Sequence, residues 1–495
     1  MNGVHPRGRS TVRAFFRWRL VSERMVPMRS TSSMSLPPEL LQAVSSPGGG
    51  KIALVVGAGC SVEPPTGIPV AHECSREVHR RLVADGILQI GDCTDPTDLS
   101  LVADAVFEKR NSQRDVVERL RDQYDLKLAT PNDGYLIAAA MLCENAISSV
   151  VTLNFDLALS NALSELGARH IGVIECPEGL PNQKTINIYY LHRNVNAEPE
   201  LWVLRTATLR EDWKGHWEQI IATKVLVAPV VVFAGLGSPV AVLIESTKLL
   251  LKALPGTTRV YQVDPSDSAE SRYFKELALL PAAYIQRGWC SFMDQLSRRL
   301  LQEQVSQLAQ AVAQRVREDG LPDDDVAGLL SRFDAVGLVK FGKLRANWLL
   351  YDKPYCPAEP GAPGLIADLL LALAMMVRVS GAAALIVEDG LVEFHRDGRV
   401  VAAYLIASGC GYRGKAAVEA RVESRRARYR SRQTPPQGVL VGGTSGTWNA
   451  ALTPPSDVVR GDASAVDVVT GPATLPLLHI SELRADPSRI QQVVP

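Results

Sequence analysis

Gly57-Ala58-Gly59-Cys60-Ser61 is the first cluster in the chain whose residue types could do chemistry. It follows an apolar run at 51–56. Small residues at such a turn let backbone N–H groups approach the phosphates of a dinucleotide. Ser61 offers a hydroxyl that either binds phosphate or caps a helix. Gly67-Ile68-Pro69 begins eight residues after Gly59. Further apolar runs end in polar groups at Thr152-Leu153-Asn154-Phe155-Asp156, at Leu191-His192, at Phe233-Ala234-Gly235-Leu236-Gly237-Ser238 and at Val263-Asp264. Asn154 is a neutral amide that can hydrogen-bond a sugar hydroxyl or position a water. His192, with an ordinary pKa of about 6.5, can accept a proton from either. Asp156 can orient such a site, and it fits equally as the cap of the helix that follows it. Asp264 can contact a ribose, and Asp264-Pro265 also reads as an ordinary turn. Cys60 in the loop reads as a small buried side chain, with a reactive thiol as the alternative. His72 and His79 read as solvent-facing.

The elements that must position these residues alternate. Apolar strands are expected at 51–56, 149–153, 171–174, 186–191, 225–234, 259–263 and 283–286. Helical patterns are expected at 71–84, 99–127, 131–146, 157–166, 240–251 and 292–301. That order predicts an α/β fold, a Rossmann-like parallel sheet with helices on both faces. Ligands of such sheets bind at the carboxyl ends of the strands, where all of these motifs fall. Near 305 the alternation stops. Helix continues over 306–317, a short helix pair fits 326–350, and four prolines in 354–363 mark a linker. An apolar helix at 365–379 leads into strands at 383–387, 391–395 and 400–407. Asp389-Gly390 and Asp397-Gly398 are hairpin turns between those strands. The expected organisation is a disordered basic extension (1–47), a binding and catalytic domain (48–303), a helical connector and linker (304–363) and a smaller α+β C-terminal domain (364–495).

Two common phosphate signatures are not met. GxGxxG fails because Val62 stands where its third glycine belongs, and no GxxxxGK[ST] occurs. The chain holds 53 Lys+Arg and 53 Asp+Glu. A globally basic nucleic-acid binder is therefore excluded, although local patches survive in a neutral sum. One patch is Arg7 to Arg29, with Phe15, Phe16 and Trp18. It reads as a targeting or basic arm, or as a poorly ordered extension. Another spans 413–432, with eight basic residues against Glu419 and Glu423. That patch fits a nucleic-acid or acidic-partner contact, and equally a solvated, ion-paired helix face. The eight cysteines form no CxxC pair, so no zinc or redox dithiol is signalled, and scattered thiols fit a reducing cytoplasm. The longest apolar stretch, 225–244, is broken by Pro229, Gly235, Gly237 and Pro239, which predicts no membrane span.

The ordered set of motifs resembles the sirtuin superfamily, the NAD-consuming enzymes related to silent information regulator, over roughly 48–303. Gly57 to Ser61 and Gly67-Ile68-Pro69 are similar to its GAGxSxxxGIP loop, with a slightly longer spacer. Thr152 to Asp156 is similar to TxNxD, His192 to the catalytic histidine, Gly235 to Ser238 to the later glycine-serine loop, and Asp264 to a contact with the adenosine end. The resemblance implies NAD+ as substrate, with Asn154, His192 and Asp156 catalytic. It also implies that Gly57, Ala58, Gly59, Ser61, Gly67, Ile68, Pro69, Thr152, Gly235, Gly237, Ser238 and Asp264 form the binding loop set. Departures are the missing CxxC pairs, Arg193 in place of the glycine after the histidine, and Ala71-His72 where an aromatic and an arginine often follow GIP. With no zinc ribbon, the chain looks more like the bacterial sirtuin-like NAD hydrolases of anti-phage defence than the deacylases. That likeness implies a homo-oligomer and a sensor or phage-derived partner. A deacylase, or a non-catalytic sensor of NAD or ADP-ribose, is the other reading.

Overall fold

The computed structural model describes residues 35–45, 49–211, 228–236, 244, 248, 252, 256, 258–268, 271–319, 336–349, 351, 353–359, 362–387, 390–408, 422–423, 425–429, 431–442 and 475–494. The basic segment at 1–34, the helix expected at 240–251 for all but two residues, and Gly237 and Ser238 lie outside them.

Seven strands make the first sheet: β1 (Ile52–Val56), β2 (Ile147–Thr152), β3 (Gly172–Ile174), β4 (Asn187–Tyr190), β5 (Val230–Ala234), β6 (Arg259–Asp264) and β7 (Tyr284–Gln286). Their order is β3-β4-β2-β1-β5-β6-β7, and every pair is parallel. The expected α/β sheet is therefore present. All five residues of β1 are buried. Strand alternation sends Ile52, Leu54 and Val56 into one core and Ala53 and Val55 into the other. Burial on both faces is why these strands read as continuous apolar runs.

The first core holds α1 (Pro38–Ser45), α5 (Asp133–Cys143), α6 (Ala158–Glu165) and the first half of α9 (Trp289–Asp319). Between β1 and β2, α2 (Ala71–Ala84), α3 (Leu99–Arg110) and α4 (Arg114–Gln123) pack into a core of their own with Trp202 and Leu204. Short helices α7 (Thr206–Glu211) and α8 (Arg272–Glu276) complete this half.

Several expectations change. The amphipathic stretch at 99–127 is two helices, because Asn111 takes a left-handed φ of 50° and ends α3. Residues 38–45, expected inside a disordered extension, form α1 and bury Leu40, Ala43 and Val44 against the core. His79 is 9% exposed, not solvent-facing, because α2 turns it into the helical cluster. The boundary expected at 303/304 falls within α9, a continuous helix of 31 residues. Its Phe292 and Leu296 belong to the first core, and its Leu308 and Val312 to the second.

The second half contains α10 (Leu338–Trp348), α11 (Ala362–Ser380), α12 (Ile480–Ala485), α13 (Ile490–Val493) and the strands β8 (Ala383–Val387), β9 (Leu391–Arg396), β10 (Arg399–Ala407), β11 (Gly438–Val441) and β12 (Leu477–His479). The sheet order is β12-β11-β10-β9-β8. β8, β9 and β10 form the expected antiparallel meander, while β11 and β12 add in parallel, so the sheet is mixed. Residues 363–380 are long and apolar enough to cross a membrane by length and composition, with a mean hydropathy of 1.7. Much of that helix is covered by the second core. The segment read as a linker is packed: Tyr355 and Cys356 are buried, and the Cys356 N–H donates to Gly342 O at 3.2 Å. Of the basic residues at 413–432, Arg425 donates to Asn347 O at 2.8 Å, Arg426 pairs with Glu423 at 3.3 Å, and Arg432 pairs with Glu393.

Candidate functional site

The chain lays β2, β3 and β4 on one side of β1 and then returns to place β5, β6 and β7 on the other. The crevice at such a reversal, outside the carboxyl ends of the strands, is where open α/β sheets bind ligands. Here that crevice lies at the ends of β1 and β5.

The glycines there face each other. Gly57 N–H donates to Ala234 O and Gly59 N–H donates to Gly235 O, both at 2.9 Å. A Cβ on Gly59 would sit 2.7 Å from Gly235 Cα, and one on Gly235, at φ 65°, would sit 2.5 Å from Cys60 N. Two of the N–H groups expected to meet phosphate are therefore taken by the neighbouring strand end. Ala58 opens a short 3-10 turn, Ala58–Ser61, so its own N–H has no partner within that turn. Cys60 is fully buried, and burial pushes its thiol up, as a packed side chain requires.

Gly67 takes φ 61°, and the Ile68 N–H donates to Ser61 O at 3.0 Å, folding the Gly67-Ile68-Pro69 loop back on the turn. Ile68 packs against both the central and the helical cores, and Pro69 O accepts the Cys74 thiol. Asn132 caps α5 and donates to Cys60 O at 2.9 Å, so the start of α5 is fixed to the same turn.

Asn154, Ser61, Asp156 and Tyr135 form one buried polar cluster. Asn154 Nδ2 donates toward Gly57 O, Ser61 Oγ and Tyr135 Oη at 3.2, 3.1 and 3.0 Å. Ser61 Oγ donates to Asp156 Oδ2 at 2.8 Å, and Asp156 Oδ1 accepts the Ala158 N–H at 3.0 Å. Asp156 thus takes the first N–H of α6 and anchors Ser61 at once. Burial pushes its carboxyl up despite those donors. Ser61, expected to bind phosphate or cap a helix, is 1% exposed and spent on Asp156. Thr152 is a support: its Oγ1 accepts the Asn154 N–H at 3.1 Å. Tyr135 was not singled out by the sequence. It is one aromatic in the apolar helix α5, and only its partners reveal it.

The ends of β1, β2 and β4 are stitched by Leu153 N–H to Val56 O and Leu191 N–H to Thr152 O, both 3.0 Å. This seats His192 beside Phe155, ring centroids 6.2 Å apart, with a hydrogen bond to the Leu153 backbone. Burial lowers the His192 pKa to about 4; the Leu153 bond opposes this, and the Arg193 charge adds to it. The imidazole is neutral near pH 7, as an acceptor must be, but it is a weaker base than an ordinary histidine. Arg193 holds φ 69°. Phe155 stacks on Trp202 at 4.4 Å, tying this loop to the α2–α4 helices.

Asp264 ends β6, two strands from β1. Its Oδ1 accepts the Ser266 N–H at 2.8 Å, so it makes the turn that its sequence suggested. Among the described residues no group of three or more His, Cys, Asp or Glu could hold a metal. A separate cleft, lined by Leu166, His170, Tyr351 and Lys353 among others, opens at the amino end of β3, away from these strand ends.

No family model matches the chain. No curated protein matches it either. Solved structures do. A Sir2 homologue in complex with NAD is 15% identical, covering 54% of this chain and 96% of its own, with a TM-score of 0.33. A Sir2 homologue mutant in complex with ADP-ribose is 14% identical, covering 54% and 96%, with a TM-score of 0.31. Sir2 bound to an acetylated peptide is 15% identical, covering 54% and 97%, with a TM-score of 0.29.

Proposed function

We propose that the chain is an NAD+ glycohydrolase that releases nicotinamide and ADP-ribose at the strand-end crevice. The observation that carries this is a linear arrangement. Asn154 and His192 end β2 and β4, the interlocked glycine turns end β1 and β5 at the centre, and Asp264 ends β6. From β2 to β6 is three strand spacings, roughly 14 Å. An extended dinucleotide fits that span, with its nicotinamide ribose at Asn154, its pyrophosphate over the glycine turns and its adenosine toward Asp264. Gly67, Ile68 and Pro69 would border it.

Cleavage of the nicotinamide–ribose bond builds positive charge at the anomeric carbon, as glycoside cleavage does. The residues here are suited to orienting a hydroxyl or water against that carbon. Asn154 supplies a neutral acceptor, and the neutral imidazole of His192 can take a proton. Asp156 acts behind them by holding Ser61. The role read from the resemblance is a triggered, homo-oligomeric effector that depletes NAD+ during phage infection, answering to a sensor or a phage-derived partner. The basic segment at 413–432 is its candidate contact for nucleic acid or an acidic partner.

Purified protein incubated with NAD+ should release nicotinamide and ADP-ribose in equal amounts, and Asn154→Ala and His192→Ala should each lower the rate. Wild-type rates in both variants would sink this reading. A second reading, a sensor that binds NAD+ or ADP-ribose without turnover, draws on the weak basicity of His192. It predicts saturable binding with no nicotinamide released.

A further inference from the structure

We propose that Tyr135 is a positioning residue. Its hydroxyl locks the Asn154 amide with Nδ2 turned into the protein and Oδ1 presented to the crevice. The inference rests on the cleavage site proposed above and names what sets its geometry.

Donor counting carries it. Asn154 Nδ2 lies within hydrogen-bond distance of Gly57 O, Ser61 Oγ and Tyr135 Oη. A backbone carbonyl only accepts, so the nitrogen of the amide faces this trio, not the oxygen. Ser61 has one proton, and it goes to Asp156 Oδ2. Tyr135 Oη, 2.8 Å from Ser61 Oγ, therefore donates to Ser61 and accepts from Asn154. Asp156 takes the Ala158 N–H on its other oxygen. The hydroxyl chain from Tyr135 through Ser61 thus ends on the Asp156 carboxylate, and the other Asn154 Nδ2 proton goes to Gly57 O.

Asn154 Oδ1 is left over. It meets no donor among the described residues and is not fully sealed from solvent, so it is an open acceptor just past the end of β2. An acceptor there can hold the proton of a ribose hydroxyl or of a water, and a rotated amide would offer a donor instead. Tyr135 is itself well fixed. It is 1% exposed, its N–H donates to Asn132 Oδ1 at 3.1 Å, and its ring lies 5.9 Å from Trp289. Removing the hydroxyl alone takes an acceptor from Asn154 and a donor from Ser61, and it leaves the ring packing in place.

The test is a double-mutant cycle of wild type, Tyr135→Phe, Asn154→Ala and the double variant. Tyr135→Phe should lower kcat for nicotinamide release at least tenfold with KM for NAD+ within about twofold. A residue that acts through another adds nothing once that residue is gone, so the double variant should be no slower than Asn154→Ala. Unchanged kcat in Tyr135→Phe, or a change confined to KM, overturns the proposal. A wild type that releases no nicotinamide sinks the cleavage reading instead. Urea unfolding of the same four proteins then decides Tyr135 alone: non-additive midpoint shifts support the lock, and additive shifts overturn it.

Discussion

Arg345 donates through Nη2 to Glu144 Oε1, and the two side chains are only 3% and 2% exposed. The pair joins the end of α5 to the second half of the chain. Tyr355 Oη reaches the same carboxylate at 2.5 Å, the Ala358 N–H reaches its other oxygen at 2.9 Å, and Arg345 also bonds Gln304 and Cys356 O. Since Tyr135 lies in the first turn of α5, this clamp and the candidate site sit at opposite ends of one helix. Breaking a buried pair from one side leaves a charge without compensation, at about 3–5 kcal/mol. Arg345→Met should cost that much in urea unfolding. Arg345→Met combined with Glu144→Leu should cost less than Arg345→Met alone. A double variant as unstable as the sum of the two single ones would show that the charges do not act as a pair.

The close approach of Gly59 and Gly235 gives a second expectation. An alanine at Gly235 must adopt a left-handed φ, at about 1–2 kcal/mol, and must also displace Cys60 N. Gly235→Ala and Gly59→Ala should each lower stability by about 2 kcal/mol or more. At Gly91, φ is ordinary and nothing lies within 4 Å of an added Cβ, so Gly91→Ala should be nearly neutral. Thermal midpoints of the three variants check this. A neutral Gly59→Ala would mean that the two turns are not interlocked.

His192 makes stability depend on pH in a stated direction. Its folded pKa of about 4 lies below the unfolded value of about 6.5, so the unfolded chain binds the proton more readily. The stabilisation is complete above pH 6.5 and is lost as pH falls toward 4, by about 3 kcal/mol at most. Asp156, whose carboxyl is raised by burial, works the other way and gains as pH falls. Urea midpoints between pH 7 and 4 should fall less steeply for His192→Asn than for wild type. Parallel curves would remove His192 as the group responsible.

The carboxyl-end motifs were legible because parallel strands buried on both faces are apolar runs, and a polar residue stands out where such a run stops. Asn154, His192 and Asp264 could be placed on strand ends for that reason. What the glycines at 57, 59 and 235 do was not legible. A pattern of small residues shows that something approaches closely, but not whether it is a ligand or another turn. Tyr135 was invisible inside a helix that is apolar nearly all round. Glu144 and Arg345 are 201 positions apart, and two charged residues at that separation carry no signal of their pairing. The helix at 38–45 was lost to its neighbourhood, since basic residues before it and Ser-Ser-Pro-Gly-Gly-Gly after it read as one loose extension.

Arg193 is held against its own preference. It takes φ 69°, which costs a non-glycine residue about 1–2 kcal/mol, and its Nη1 is buried with no hydrogen-bond partner. Its charge also lowers the pKa of the adjacent His192. Arg193→Gly removes all three effects. It adds backbone freedom to the unfolded chain, which offsets up to about 1 kcal/mol. The net expectation is a rise in stability of up to about 1 kcal/mol, together with a His192 pKa above about 4. The two readouts are independent: urea unfolding at pH 7 for the first, and an NMR titration of the imidazole for the second. A fall in stability would mean that the guanidinium makes a contact worth more than its backbone cost. An unmoved His192 pKa would mean that burial alone depresses it.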